Sequence, residues 1–352
     1  MAKRSGSLVL ALVVALEAVP AGADAIFDSG DIPVATSQDG RFYLGFGASA
    51  YFFHGPEREN VGALYEENDF VQRVDIHDFS PDDDTPLYGV VAGVVLVPGP
   101  GPGGRDLRTE LTAHYFDAQD ARSVVRTPDM FTDFLAIDGA GHVDDTVSPD
   151  DPVWNRFSAR YRYFDVGALV RSDVVLAGDV VLTPSLGLAL ARLDEHHSLE
   201  FLDIVDRQRF NRIREDVETW YGGPTLGGRL HVPVGAGLSL QLGGTAWLSY
   251  AHSQYRGTQH FLVEPGRATE NDSRNDFAFR AIASLGAAWQ AGPFAVGVSG
   301  GVDYWDYVPI IRHPEAPLGA PYDQIFETEH AGLESGVMTN YFAGVTVSVR
   351  LP

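Results

Sequence analysis

From residue 41 onward the chain consists of stretches in which apolar and polar positions alternate, and the clearest runs from Trp220 to Ala251. Its first half sets Trp220, Gly222, Pro224, Leu226, Gly228, Leu230 and Val232 on one parity and Tyr221, Thr225, Arg229 and His231 on the other. After a turn at Pro233 to Gly237, Leu238, Leu240, Leu242, Gly244, Ala246, Leu248 and Tyr250 alternate with Ser239, Gln241, Gly243, Thr245 and Ser249. A period of two predicts strands with one apolar face. Each spans roughly 12 residues, enough for a tilted strand to cross a bilayer.

The same unit recurs at Arg41 to Phe53, Leu87 to Val97, Asp106 to Phe116, Arg156 to Val170, Asp179 to Leu193, Asp276 to Gln290, Phe294 to Trp305 and Tyr341 to Leu351. Together these make ten strands, joined alternately by four short turns and by five long polar segments beginning at 54, 117, 194, 252 and 306. An even number of strands with both ends on the short-turn side predicts an all-β fold. It is a transmembrane antiparallel up-and-down β-barrel over 41–352, with short periplasmic turns and long acidic extracellular loops. Partial alternation at 70–79 and 131–138 leaves twelve strands as an alternative. The parity of 156–170 slips near Phe164, which predicts a bulge. Pro184 and Pro224 fall inside strands that have no free edge, and bulges are expected there too. Trp220, Tyr250, Trp289, Tyr304 and Tyr341 sit near strand ends, where a membrane barrel carries its aromatic girdles. A soluble sandwich would bury the apolar face and need no girdle.

Ahead of the first strand, Lys3 and Arg4 precede an apolar run from Leu8 to Leu16 and the triplet Ala21-Gly22-Ala23. This has the form of a secretory signal over 1–23, followed by a polar periplasmic lead at 24–40. No later stretch reaches the roughly 18 consecutive apolar residues of a spanning helix, so any crossing must use strands. The chain has no cysteine, which excludes disulfides, thiolate metal sites and cysteine nucleophiles. A formal charge of −23 argues against a nucleic-acid partner. Lys3 is the sole lysine, so beyond the signal every basic side chain is an arginine or a histidine.

The phrases Arg160-Tyr-Arg-Tyr-Phe-Asp-Val-Gly-Ala-Leu169, Pro184-Ser-Leu-Gly-Leu-Ala-Leu-Ala191 and Trp220-Tyr-Gly-Gly-Pro-Thr-Leu-Gly-Gly-Arg-Leu230 resemble strands of the Legionella-type pore-forming major outer-membrane protein family. The resemblance covers about 156 to 310. It implies an outer-membrane barrel that conducts ions or small solutes, and it brings no catalytic residues.

Ten polar-face positions carry the chemistry: Arg108, Glu110, His114, Arg160, Arg162, Arg229, His231, Arg280, Asp303 and Arg350. In a ten-strand barrel they are expected in one narrow lumen, where charges must be paired or hydrated. They would line a solute path or form a plug of ion pairs, and both alternatives stand. Other constellations reduce to strand chemistry. Gly297-Val-Ser-Gly-Gly301 has the spacing of a hydrolase elbow, but alternation continues through Val302 and Tyr304 where a helix should begin. His252 and Ser253 are strand neighbours on opposite faces. Asp194-Glu-His-His197 lacks the spacing of a metal site. Glu66-Glu67, Asp82 to Asp84, Asp144-Asp145 and Asp150-Asp151 form an acidic loop surface at which divalent cations are candidate bridges to anionic lipid.

The expected function is a porin-like passive pore without enzymatic activity, cofactor or metal centre. Acidic loops would concentrate cations at its mouth. The alternative is a closed barrel that presents its loops, with a surface hydrolase of omptin or lipase type as the least supported reading. Expected partners are outer-membrane lipid, lipopolysaccharide and the barrel-assembly machinery.

Overall fold

A computed structural model describes residues 43–53, 63–66, 74–76, 87–97, 107–126, 131–147, 153–176, 180–203, 209–261, 266–314 and 328–350. The signal and the polar lead fall outside these residues, as do Asp82 to Asp84 and Asp150-Asp151. The strands are β1 (Tyr43–Phe53), β2 (Ala63–Glu66), β3 (Val74–Ile76), β4 (Leu87–Val97), β5 (Leu107–Arg126), β6 (Phe131–Leu135), β7 (His142–Val147) and β8 (Val153–Ser172). They continue with β9 (Val174–Val175), β10 (Val181–Asp203), β11 (Arg209–Gly235), β12 (Leu238–Phe261), β13 (Arg267–Ala291), β14 (Phe294–Arg312) and β15 (Gly332–Arg350).

Ten of them form an antiparallel ring in the order β1-β4-β5-β8-β10-β11-β12-β13-β14-β15, with β15 back against β1. The ladder between β10 and β11 completes the ring, so each of these strands has a neighbour on both sides. The two segments that left twelve strands open belong elsewhere: β3 and β6 lie in a separate four-stranded sheet of order β3-β2-β6-β7. The barrel therefore has ten strands.

Four strands exceed the expected length, with 23 residues in β10, 27 in β11, 24 in β12 and 25 in β13. At about 3.3 Å per residue and a tilt near 40°, about 24 residues rise roughly 60 Å, twice the hydrocarbon thickness of a bilayer. Much of what reads as loop after 117, 194, 252 and 306 is thus strand that stands clear of the membrane.

The far half carries no continuous strand signal in the sequence because the apolar parity inverts along one unbroken register. On β10 the outward Leu186, Leu188 and Leu190 are 64%, 66% and 46% exposed, whereas farther along the apolar residues are the inward Leu193, Leu199 and Phe201, at 3%, 6% and 0%. The ladder to β8 runs from Ser185 to Asp203 with no shift. What changes is the surroundings. Next to lipid the apolar face belongs outside; in water it belongs inside. The same inversion explains Phe164. Phe164, Val166 and Val170 are outward and exposed, Ala159, Tyr161 and Leu169 are inward and buried, and neither ladder of β8 contains a bulge.

The two prolines keep register as well. Pro184 faces outward on β10, between the residues paired with β9 and those paired with β8, where no ladder bond to β8 is lost. Across from Pro224 the β11–β12 pairing skips from Gly222–Tyr250 to Thr225–Trp247 without changing phase. At the near end, Ala236 and Gly237 form a two-residue turn with φ of 51° and 79°, the two positive values of a type I′ hairpin. Gly292 and Pro293 close the β13–β14 hairpin, with Gly292 at φ 61°, the conformation a first central glycine supplies.

Candidate functional site

At the level of the outward apolar belt, the lumen holds a layer of paired charges. Arg280 donates through Nε and Nη2 to the two carboxylate oxygens of Asp303, each at 2.8 Å, and through Nη1 to the Tyr163 hydroxyl at 2.8 Å. Trp305 Nε1 also donates to Asp303, at 3.0 Å, and the guanidinium lies 4.4 Å from the Trp305 ring centroid. Asp303 is wholly buried. Such a carboxylate persists as an ion only where donors replace its water, and three N–H groups do so here. Across the same layer His114 Nδ1 bonds Asp165 at 2.6 Å, and Arg171 pairs with Glu110 at 3.0 Å. Thr112, Tyr163, Thr225, Thr245 and Trp247 help enclose a cavity of about 60 Å³ between these groups. That volume suits a water or two rather than a solute path.

Toward the far end an aromatic layer follows. Tyr221, Trp247 and Trp305 pack with ring centroids 5.2 to 6.3 Å apart, and Phe116, Tyr161, Tyr307, Met338 and Phe342 complete it. Beyond them Glu215 accepts from the Tyr255 hydroxyl at 2.8 Å and meets His313 Nε2 at 2.9 Å. Burial raises the Tyr255 hydroxyl well above its ordinary pKa, so it remains a donor. The turn between β6 and β7 then caps the interior. Gln259 accepts from the Ile137 amide at 2.9 Å and donates to the Leu135 carbonyl at 3.1 Å, while Phe134 and Ile137 pack among Phe201, Ile213, Tyr255 and Leu333.

The ten expected lumen positions divide. Glu110, His114, Arg280 and Asp303 converge in the charged layer, and Arg229 and His231 lie inward and half-buried near the short-turn end. The side chains of Arg108 and Arg350 lie outside the described residues. Arg160 and Arg162 differ from expectation: they share the outward parity of Phe164, because the parity inversion puts the polar face of β8 outside above the belt. The layer also uses Tyr163, Asp165, Arg171 and Trp305, which alternation alone did not single out. Arg171 lies just beyond the strand expected at Arg156 to Val170, in the short connection before Asp179. Asp165 was masked by the apparent slip at Phe164.

On the outward surface Trp220, Tyr250, Trp289, Tyr304 and Tyr341 are 38%, 52%, 52%, 37% and 51% exposed. Trp289 lies at the short-turn edge of the belt and the other four at its far edge. His252 faces outward and bonds Asn275 at 2.7 Å, whereas Ser253 is buried and meets the Tyr307 hydroxyl at 3.2 Å, so the two cannot share a proton. Asp194 and His196 likewise point away from Glu195 and His197, and no group of three metal-ligating side chains occurs among the described residues. Gly297 to Gly301 is strand throughout.

Above the far edge of the belt, β8, β10 and β11 turn a set of arginines outward. Arg160 is held by Asp117 through Nε at 2.9 Å and Nη2 at 2.6 Å, and this pairing lowers the Asp117 carboxyl below its ordinary range. Arg192 pairs with Asp194 and Glu218, and Arg212 with Glu200 at 3.0 Å. Arg156, Arg162 and Arg214 form no ion pair among the described residues, and Arg162 Nε is buried without a hydrogen-bond partner.

No family model and no curated protein matches the chain. Among solved structures it is similar to the outer-membrane protease OmpT from Escherichia coli, at 10% identity and a TM-score of 0.42, covering 92% of this chain and 100% of that one. It is also similar to a major outer membrane protein from Thermus thermophilus, at 11% identity and 0.32, covering 89% and 100%. A Pseudomonas aeruginosa FadL homologue follows at 9% identity and 0.27, covering 88% and 90%.

Proposed function

We propose that this chain is an outer-membrane barrel sealed to passive flow, with its short turns in the periplasm and its extended half presented outside the cell. The observation that carries this reading is the charged layer itself. Arg280, Asp303, Tyr163 and Trp305 from three strands meet at hydrogen-bonding distance across the lumen, where a conducting pore needs a continuous water column. The aromatic layer and the β6–β7 turn add two further obstructions on the same axis. No catalytic step belongs to this reading.

A passive pore is the second reading, and one observation favours it besides the resemblance of the strand phrases. The inward Ser348 and Thr346 pair across β1 with Gly45 and Gly47, and Gly47 pairs in turn with Gly93. Glycine at these positions contributes no side chain to the interior on that side of the wall. Single-channel recording of the refolded mature chain in a planar bilayer at two salt concentrations separates the two. The sealed barrel gives no steps at either concentration; reproducible steps that scale with salt establish the pore.

A further inference from the structure

The outward arginines surround a basin of about 550 Å³ on the face of β8, β10 and β11. Register explains its shape. Ser158 lies opposite Ser198, which lies opposite Arg214; one row up Arg156 is opposite Glu200 and Glu200 opposite Arg212; one row down is Arg160 beside His196. Short serines form the floor and long arginines the rim. Of the four arginines that line the basin, Arg160 is held by Asp117 and Arg212 by Glu200, which leaves Arg156 and Arg214 without an ion pair among the described residues on a chain whose overall charge is −23. Two outward guanidinium groups around one basin on so acidic a chain offer a site to an anionic ligand. Guanidinium groups with hydroxyls beside them match phosphate oxygens in bidentate geometry.

Position narrows the choice. Phe164 marks the edge of the lipid-facing belt, and Arg162, Arg160 and Arg156 follow it on the same face two, four and eight residues along. At about 3.3 Å per residue and a tilt near 40° they stand roughly 5, 10 and 20 Å above that edge. The phospholipid headgroup layer is only about 5 to 8 Å deep. A phospholipid phosphate therefore reaches Arg162 and stops short of the basin. A glycolipid whose sugars carry phosphates farther from its acyl chains reaches all three.

We infer that this basin binds the phosphorylated sugar headgroup of an outer-leaflet glycolipid, with the acyl chains lying on the belt below Phe164. The inference rests on the membrane placement of the barrel and is independent of whether the lumen conducts. Arg156 and Arg214 are its principal contacts, because both line the basin and neither forms an ion pair among the described residues. Ser158 and Ser198 supply hydroxyls beneath the phosphate.

The test uses the full mature chain refolded in neutral detergent, with folding checked by heat-modifiable migration on gels, and fluorescently labelled rough-type lipopolysaccharide as probe. Thermophoresis reads the affinity. The double variant R156Q/R214Q binds roughly thirtyfold more weakly, at about tenfold for each 1.4 kcal/mol and about 1 kcal/mol per arginine. R267Q, an exposed arginine at the far end of β13, binds as the parent does. Should the double variant fail to fold, S198E places a carboxylate on the basin floor and gives the same loss. Dephosphorylated lipopolysaccharide and phosphatidylglycerol compete poorly, and excess inorganic phosphate does not displace the probe. Undiminished binding by the variants, or equal binding of dephosphorylated glycolipid, overturns the inference. So does full displacement by inorganic phosphate, which identifies a free-anion site. A chain that shows no heat-modifiable fold in detergent instead contradicts the barrel reading beneath it.

Discussion

Asp303→Ala tests the charged layer most sharply. The substitution removes the acceptor of two guanidinium bonds and of the Trp305 indole bond while leaving Arg280 in place, with its side chain only 10% exposed. Arg280 then keeps the Tyr163 hydroxyl at 2.8 Å and the face of Trp305 at 4.4 Å. The ring contact supplies about 0.5 to 2 kcal/mol, too little to replace a carboxylate for a buried cation. Breaking one side of a buried pair costs about 3 to 5 kcal/mol, and the cost is mainly the stranded charge. Removing both charges in Arg280→Met/Asp303→Leu should therefore lose less than either single change, with a coupling energy of at least about 3 kcal/mol. Urea unfolding of protein folded into lipid vesicles, followed by tryptophan emission, measures all four corners of the cycle. An Asp303→Ala cost below about 1 kcal/mol, or additive single changes, would refute the argument that this layer is a desolvated ion pair.

Three further outcomes follow from the geometry. Gly301→Ala places a Cβ 2.0 Å from the Ala283 carbonyl oxygen and 2.6 Å from Phe342; a loss of about 1 to 3 kcal/mol is expected in the same unfolding assay, since backbone must move. Gln259→Ala leaves the buried Ile137 amide and Leu135 carbonyl without their side-chain partner. It should loosen the β6–β7 turn by about 1 to 3 kcal/mol, read as faster amide exchange at 135–141 with the barrel strands unchanged. His330, bonded to Glu270 at 2.8 Å, has a pKa raised above 6.5 by that hydrogen bond. Its folded value exceeds its unfolded one, so the small contribution is complete below about 6.5 and disappears as pH rises through the raised value; in an NMR titration Glu270→Gln should return the midpoint toward 6.5.

Strand number and class were readable because lipid imposes one simple rule, apolar outward, on Leu186, Leu188 and Leu190 and their counterparts around the ring. The far half was not, for a physical reason. Above the girdle water replaces lipid, Leu193, Leu199 and Phe201 move the apolar parity inward, and the change of phase resembles a bulge or the start of a loop. Arg160 and Arg162 were drawn into the lumen by that ambiguity, and Asp165 was lost from it. The partial alternation at 131–138 is real, yet only the pairing of Phe134 with Ala63 reveals a separate sheet. Contacts such as Gln259 with Ile137, 122 residues apart, carry no local signal.

The absence of native cysteines gives a clean background for the measurement that tests the account most directly, a single-cysteine scan along β10 in the refolded barrel. A membrane-impermeant maleimide should label positions 194, 196 and 198 rapidly. Positions 186, 188 and 190, facing lipid, and positions 187 through 199 of odd number, facing the packed interior, should stay unlabelled. Labelling of the odd positions 187, 189 and 191 from water would contradict a sealed lumen, and protection of 194 to 198 would contradict a barrel that continues beyond the membrane.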